Sequence, residues 1–240
     1  PLNPLYVHAA VMVLPQFGGV RVVNYLLSTN RGTTWDNFGN VAEVSSGFPS
    51  IDGLSDGVAL ITMHTTAGGV AAARSQVFVD LGPGFGTFTR LDPGQNAGGD
   101  QIWGRVIGTS NITNPSKFVL AASQNTGLIA ATINGTSLAP SPGTFGLWQN
   151  FPSENAEQYC LALGQDGRIG NAYISDANIG DVYFRESLDG GVNWGTPTLV
   201  FDANLAADSL GAFRGISMIY LGNTPCVTFE VDMITETGYF

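Results

Sequence analysis

Lysine is all but missing from this chain. Lys117 stands alone, and nine Lys plus Arg face 19 Asp plus Glu, for a formal net charge of −10 over 240 residues. A field of that sign repels phosphate backbones and anionic lipid, so nucleic acid and membrane surfaces are excluded as expected partners. Cysteine is nearly as scarce. Cys160 and Cys226 have neither C-x-x-C spacing nor a histidine companion, which argues against a zinc site. They read as two small buried thiols, with a disulfide as the other outcome if the chain is secreted. Long apolar runs are also lacking. Stretches such as Val7 to Leu14 fall far short of the ~18 residues that cross a bilayer. No basic segment followed by an apolar one opens the chain, which starts at Pro1. The expectation is a leader already removed or a piece of a longer protein. No Gly-rich phosphate loop opens a helix, and no nucleophile elbow is visible.

What the chain has instead is glycine, 32 of them, with abundant Ser, Thr and Asn. That composition suits many short strands joined by tight turns, and 240 residues suffice for one all-β core. One turn stands out. Ser187-Leu188-Asp189-Gly190-Gly191-Val192-Asn193-Trp194 has the form Ser-x-Asp-x-Gly-x-x-Trp, and Ser28 to Trp35 repeats it with Asn30 for the Asp. An Asp or Asn oxygen accepts backbone N–H groups in such a turn, and the glycine takes the positive φ. The Trp is expected to tuck back between strands as a buried ring. Phe78 to Phe85 keeps Asp80, Gly82 and Phe85, and Thr132 to Thr136 is a weaker relic. The starts at 28, 78, 132 and 187 give steps of 50, 54 and 55. Strand-like runs precede each turn in order: two before the first (Val7 to Leu14, then Arg21 to Leu27) and three before each later one, beginning with Phe48 to Asp52, Gly57 to His64 and Ala73 to Val79. Four strands per repeat make the blade of a β-propeller. A β-sandwich would not explain a turn signature at near-constant spacing.

These turns resemble the Asp-box of the sialidase-like, BNR-repeat β-propellers. The resemblance implies an all-β propeller of four-stranded antiparallel blades, about four and a half of them present as part of a larger propeller. The blade units run approximately 1–41, 42–93, 94–151, 152–201 and 202–240. It also implies that the boxes (Ser28, Asn30, Gly32 and Trp35; Asp80, Gly82 and Phe85; Ser187, Asp189, Gly191 and Trp194) are structural. Ligands are then expected at the opposite ends of the strands, where the connections Phe17 to Gly19, Thr65 to Gly69, Gln124 to Gly127, Asp176 to Gly180 and Asp232 to Glu236 lie.

An aromatic recurs near the start of each first strand: Phe48, Trp103, Tyr159 and Phe213, at spacings of 55, 56 and 54. Such rings stack on sugars or wedge between sheets. Arg105 and Arg214 follow two of them, and the resemblance makes them ligands of a substrate carboxylate, which guanidinium grips bidentately. Against catalysis, the family's Arg-Ile-Pro motif is missing from these residues. No Tyr nucleophile with a partner Glu is assignable, Tyr159 near Glu157 being the nearest arrangement. Asp92, Asp100, Glu154, Asp202 and Asp208 are rim carboxylates. His8 and His64 read as packed or edge histidines without ligand spacing. Asp176 and Asp181 are the only candidates for calcium, and otherwise no cofactor or metal is expected. Asn111 and Asn134 are glycosylation acceptors only in a secretory eukaryotic setting. The expected function is a non-catalytic, secreted or cell-surface propeller module. It would bind glycan or a protein surface, or give structural support, beside other domains of a longer chain. A glycoside hydrolase of the sialidase type is the alternative.

Overall fold

The computed structural model describes residues 5–17, 19–96, 99–109, 118–125, 132–139, 145–150, 156–175, 180–203, 209–235 and 238–239. They form twenty β-strands and, among the described residues, no helix. The chain divides into two compact units, one of Pro1–Thr126 with Gly135–Gln149, the other of Gly127–Asn134 with Asn150–Phe240.

The first unit begins with a three-stranded antiparallel sheet of β1 (Val7–Val13), β2 (Val22–Ser28) and β3 (Asp36–Asn40). A four-stranded sheet follows in chain order: β4 (Ser46–Gly53), β5 (Ala59–Thr65), β6 (Arg74–Asp80) and β7 (Phe88–Leu91). Next come β8 (Gln101–Gly108) and β9 (Phe118–Asn125), continued by β10 (Thr132–Ala139) and β11 (Gln149–Asn150). Strand β5 explains the layering. Ala59, Ile61 and Met63 face one way and join Val23, Tyr25 and Leu27 of β2 in one core. Leu60 faces the other way and joins Val77, Val106, Phe118 and Leu120 in a second. A strand buried on both faces reads as a continuous apolar run instead of an alternation, and Ala-Leu-Ile-Thr-Met does. The hydroxyl inside this run, Thr62 Oγ1, donates to the Gln76 carbonyl at 3.0 Å.

Two glycines let β8 lie directly on the preceding sheet. A Cβ on Gly104 would stand 2.6 Å from Thr62 Oγ1, and one on Gly108 2.5 Å from the Gly53 carbonyl oxygen. The bare backbone bonds there instead: Gly104 N–H donates to Ser75 Oγ (3.1 Å) and Gly108 N–H to Asp52 Oδ2 (2.7 Å). The last bond sets the ends of β4 and β8 level, so their starts are level too.

The second unit holds the sheet β12 (Ala156–Leu163), β13 (Ile169–Ser175), β14 (Val182–Ser187) and β15 (Thr198–Phe201). Every residue of β13 is buried. Beyond it, β16 (Leu210–Ala212) pairs with β19 (Val231–Thr235), and β17 (Ser217–Leu221) with β18 (Thr224–Thr228). The two ladders are one long hairpin broken near its middle, since β16 leads into β17 and β18 into β19. β20 (Gly238–Tyr239) adds to β19.

Three expectations need correcting. Thr132 to Thr136 lies inside β10, so that segment is strand and not turn. Trp35 is 42% exposed and Trp194 half-buried, so neither ring is a core wedge. Cys160 and Cys226 are free thiols, each half-buried on β12 and β18 and not deep in a core.

Candidate ligand-binding face

Each box closes its chemistry on itself. Ser28 Oγ donates to Asn30 Oδ1 (2.9 Å) and accepts Gly32 N–H (2.8 Å), while Asn30 Oδ1 also accepts Thr34 N–H (2.9 Å). The second copy repeats this: Ser187 Oγ donates to Asp189 Oδ1 (2.8 Å) and accepts Gly191 N–H (2.8 Å), and Asp189 Oδ1 accepts Asn193 N–H (2.8 Å). Gly32 and Gly191 have φ of 83° and 91°, a region that penalises any Cβ. Partial burial raises the Asp189 pKa, but the hydrogen bonds from Asn193 and Ser187 outweigh it and hold the carboxyl below its ordinary range. Trp35 Nε1 donates to the Gly32 carbonyl (3.1 Å), so the indole folds over its own turn and stays in water. Asp80 does the same work in the third turn, accepting Gly86 and Thr87 N–H at 3.2 Å each. That turn packs on the strands flanking the first, Gly84 against Leu27 of β2 and Gly86 against Phe38 of β3. A turn whose donors and acceptors are already matched offers little to a ligand.

The opposite ends of the first unit's strands differ in kind. β4 carries a bulge between Gly47 and Ser50, and β8 carries one between Ile102 and Arg105. The bulged residues are Phe48, φ 52°, and Trp103, φ 54°. A bulky aromatic in the left-handed region costs of order 1–3 kcal/mol and persists only where its surroundings hold it there. Phe48 is 42% exposed and Trp103 half-buried. Around Phe48 stand Arg21, its guanidinium 5.4 Å from the ring centroid, and His64, ring centroids 5.0 Å apart. Gly47 lets them close in: a Cβ there would be 3.3 Å from Met12 Sδ and 3.5 Å from His64 Nε2. His64 Nδ1 is buried and has no hydrogen-bond partner among the described residues. Burial first, then the Arg21 charge, lower the His64 pKa, so the ring is neutral at pH 7.

Beside this group the loop from β1 to β2 turns tightly, Gly19 N–H donating to the Gln16 carbonyl (2.9 Å), and leaves Leu14, Phe17 and Val20 exposed. Farther along the same ends, Asp92 takes a two-pronged grip from Arg74 (3.0 and 2.7 Å) and caps Gly94 N–H. Its burial raises the pKa, but Arg74 and the Gly94 N–H prevail and keep the carboxyl ionised below the usual range. Charge is distributed unevenly between the two ends. Arg21, Arg74, Arg90 and Arg105 stand with Glu43, Asp92 and Asp100 here, whereas Arg31 at the box end faces Asp36, Asp52, Asp56 and Asp80. This end therefore escapes the negative excess of a strongly acidic chain.

The residues expected to form a site are divided between the two units. Phe48, Trp103 and Arg105 belong to the first unit, and Tyr159, Phe213 and Arg214 to the second. Arg105 is half-buried just past the β8 bulge, its Nη1 3.3 Å from the Gly104 carbonyl. Tyr159 is 3% exposed and sits opposite Tyr173 in an unbroken stretch of ladder, while the β12 irregularity falls at Glu157. Buried there, Tyr159 packs within the core of its sheet. Phe213 lies in the break between β16 and β17, with the exposed Arg214 guanidinium 4.9 Å over its ring. Of the rim carboxylates, Asp92 is held by Arg74, Asp100 accepts from Gln95 (2.8 Å), and Asp202 is exposed. Glu154, Asp208 and Asp176 lie outside the described residues. Asp181 is 8% exposed and spends its oxygens on Ala203 N–H (2.8 Å) and the Tyr183 hydroxyl (3.2 Å), which leaves little for calcium. The sequence reading does not place Arg21 at a site, and takes His64 only as a packed or edge histidine. The available signal was their place beside the expected Phe17 to Gly19 and Thr65 to Gly69 connections.

No protein-family model matches the chain, and no curated protein sequence does. Solved structures do. A protein of unknown function from Dyadobacter fermentans is 13% identical, with a TM-score of 0.62 over 90% of this chain and 68% of its own. An α-L-arabinanase from Penicillium chrysogenum, complexed with arabinobiose, is 12% identical, with a TM-score of 0.60 over 98% and 76%. A Hadza microbial sialidase is 13% identical, with a TM-score of 0.59 over 91% of this chain and 45% of its own. At such identities the likeness is one of fold, and the fold is the propeller type of these glycosidases.

Proposed function

We propose that the chain binds glycan at the bulged ends of the first unit's strands, with Phe48 and Trp103 as stacking platforms. The observation that carries this reading is the pair of left-handed aromatics at matching bulges of the first strands of successive sheets. Strained backbone kept twice at one position, each time under an aromatic, is how a fold marks a working surface. Rings that present a face to water accept the apolar side of a sugar. Arg21 and Arg105 supply donors beside them for ring hydroxyls. Affinity electrophoresis through gels containing arabinan, xylan or polygalacturonate tests the reading. Retardation in at least one gel, lost in Phe48→Gly and Trp103→Gly, is expected; equal mobility in all three sinks it. Glycine is the informative replacement because it keeps φ > 0 without strain and removes only the ring.

A second reading is catalysis, favoured by the fold shared with an arabinanase and a sialidase. Arg105 and Arg214 would then be substrate ligands. Without an assignable nucleophile, hydrolysis of a fluorogenic sialoside by these 240 residues is not expected. Turnover that disappears in Arg105→Ala or Arg214→Ala would establish the enzyme reading instead. A secreted or cell-surface location belongs to the same proposal, since glycans are met there.

A further inference from the structure

We infer that the open edge of β1 is a docking slot for one extended strand supplied from outside these 240 residues. The box turns fix which strands are equivalent. One box closes the connection from β2 to β3, the Asp80 turn that from β6 to β7, and the other box that from β14 to β15. So β2, β6 and β14 correspond, and the strands before them, β1, β5 and β13, correspond as well. β5 lies between β4 and β6, and β13 between β12 and β14, whereas β1 pairs with β2 alone. The place that β4 and β12 take in their sheets holds no strand beside β1 among the described residues.

The sequence of β1 is that of an enclosed strand. Val-His-Ala-Ala-Val-Met-Val carries no Asp, Glu, Lys, Arg or Pro, and it pairs with β2 from Val7 to Val13 without a shift in register. All of β13 and six of the seven residues of β5 are buried. No residue of β1 is, and Val7, Val11 and Met12 are exposed. A straight, uncharged, unpaired edge presents a row of N–H and C=O groups, and main-chain pairing along such an edge is how a sheet takes up an extended peptide. One wall of the slot is already in place. β4 lies against β1, so close at Gly47 that a Cβ there would stand 3.3 Å from Met12 Sδ.

The first strands of the other sheets describe the occupant. β4, β8 and β12 each have eight residues, a single charged residue, and an aromatic at the third or fourth position (Phe48, Trp103 and Tyr159). The partner is therefore a peptide segment of about that length, low in charge, with a ring near its start. A second copy of the chain is a poorer fit. Its β4, β8 and β12 are already paired in their own sheets, and two molecules at −10 repel each other.

The test is fluorescence anisotropy of a fluorescein-labelled peptide of the β8 sequence, Gln101–Gly108, titrated with the 240-residue chain, with hydrogen exchange to locate the contact. Saturable binding with a Kd of about 100 μM or tighter is expected, and exchange of the Val7–Val13 amides should slow about tenfold. Two versions of the peptide, N-methylated at alternate amides in opposite phase, test main-chain pairing without altering the protein; one phase should lose binding. Val11→Lys, at an exposed position of the edge, should weaken binding about tenfold with an unaltered melting temperature. No saturable binding by peptides of the β4, β8 or β12 sequence overturns the inference. So does binding that leaves β1 exchange unchanged, or equal binding by both methylated peptides. A dimer seen by light scattering and dissolved by Val11→Lys makes a second copy the occupant, and overturns it too. Retardation in the polysaccharide gels is independent of all these outcomes, so failure here leaves the glycan reading standing.

Discussion

The two ends of the first unit's strands obey different rules. At the box end the polar preferences agree with the structure: Ser at a position that donates and accepts, Asn or Asp where oxygens meet N–H groups, and Gly at most positive φ, with Arg31 (φ 60°) as an exception and Trp35, Leu81 and Phe85 exposed. At the other end a Phe and a Trp occupy backbone that favours glycine, a buried histidine nitrogen has no hydrogen-bond partner among the described residues, and apolar side chains face water. Sequences agree with their folds at most positions and disagree where something else is being selected. The pair of strained aromatics is thus the ground for proposing a ligand surface at the bulged end.

The sharpest way to break that contrast is the double variant Phe48→Gly, Trp103→Gly. It should abolish glycan retardation while changing stability by no more than about 1 kcal/mol, because relief of strain offsets lost ring contacts. Urea denaturation monitored beside the gels decides it; a large loss of stability would make the rings core elements. The next effect is the reverse. Ser187→Ala strips a fully buried hydroxyl from Asp189 and from Gly191 N–H, and should cost about 1–3 kcal/mol with binding unchanged. Trp35→Ala should cost less, about 1 kcal/mol or under, since the indole covers only its own turn. A loss of 3–5 kcal/mol, usual for a buried large aromatic, would contradict that exposed position.

The smallest expected effect is on pH dependence. Burial lowers the pKa of both His8 and His64, with Asp80 opposing the shift at the first and Arg21 adding to it at the second. The unfolded chain therefore binds protons first as pH falls. Stability is complete above the ordinary histidine value of 6.5 and declines through the range below it. Melting temperature should be lower at pH 5 than at pH 7.5, and His64→Gln should flatten the slope. An unchanged slope would mean His64 is solvated.

Much of the strand order was legible because the signals were local. The run Gly57 to His64 becomes β5, and Asp181 to Glu186 becomes β14, each within two residues. Asn30 and Asp189 announce their turns for reasons contained within eight residues. The bulges were not legible: nothing near Phe48 or Trp103 dictates positive φ, which arises from how β4 and β8 pack. Even spacing placed Tyr159 with them, but β12 is kinked at Glu157, which leaves Tyr159 in the core. Thr132 to Thr136 failed as a turn because Asn-Gly without the Ser and Trp has no network to close. The role of His64 depends on Arg21, 43 positions away in sequence, and pattern cannot show such a meeting.

The bulges have a second consequence, for solubility. β4 and β8 are each the edge strand of their sheet. A straight edge offers a row of unpaired N–H and C=O groups on which another chain can add a strand and begin to aggregate. The kink at Phe48, followed by Pro49 with no N–H to give, interrupts that row, and the kink at Trp103 does the same on β8. Removing one residue to straighten either strand would lengthen the continuous template and expose it to neighbouring molecules. The distortion that displays the rings also keeps the molecule from recruiting copies of itself.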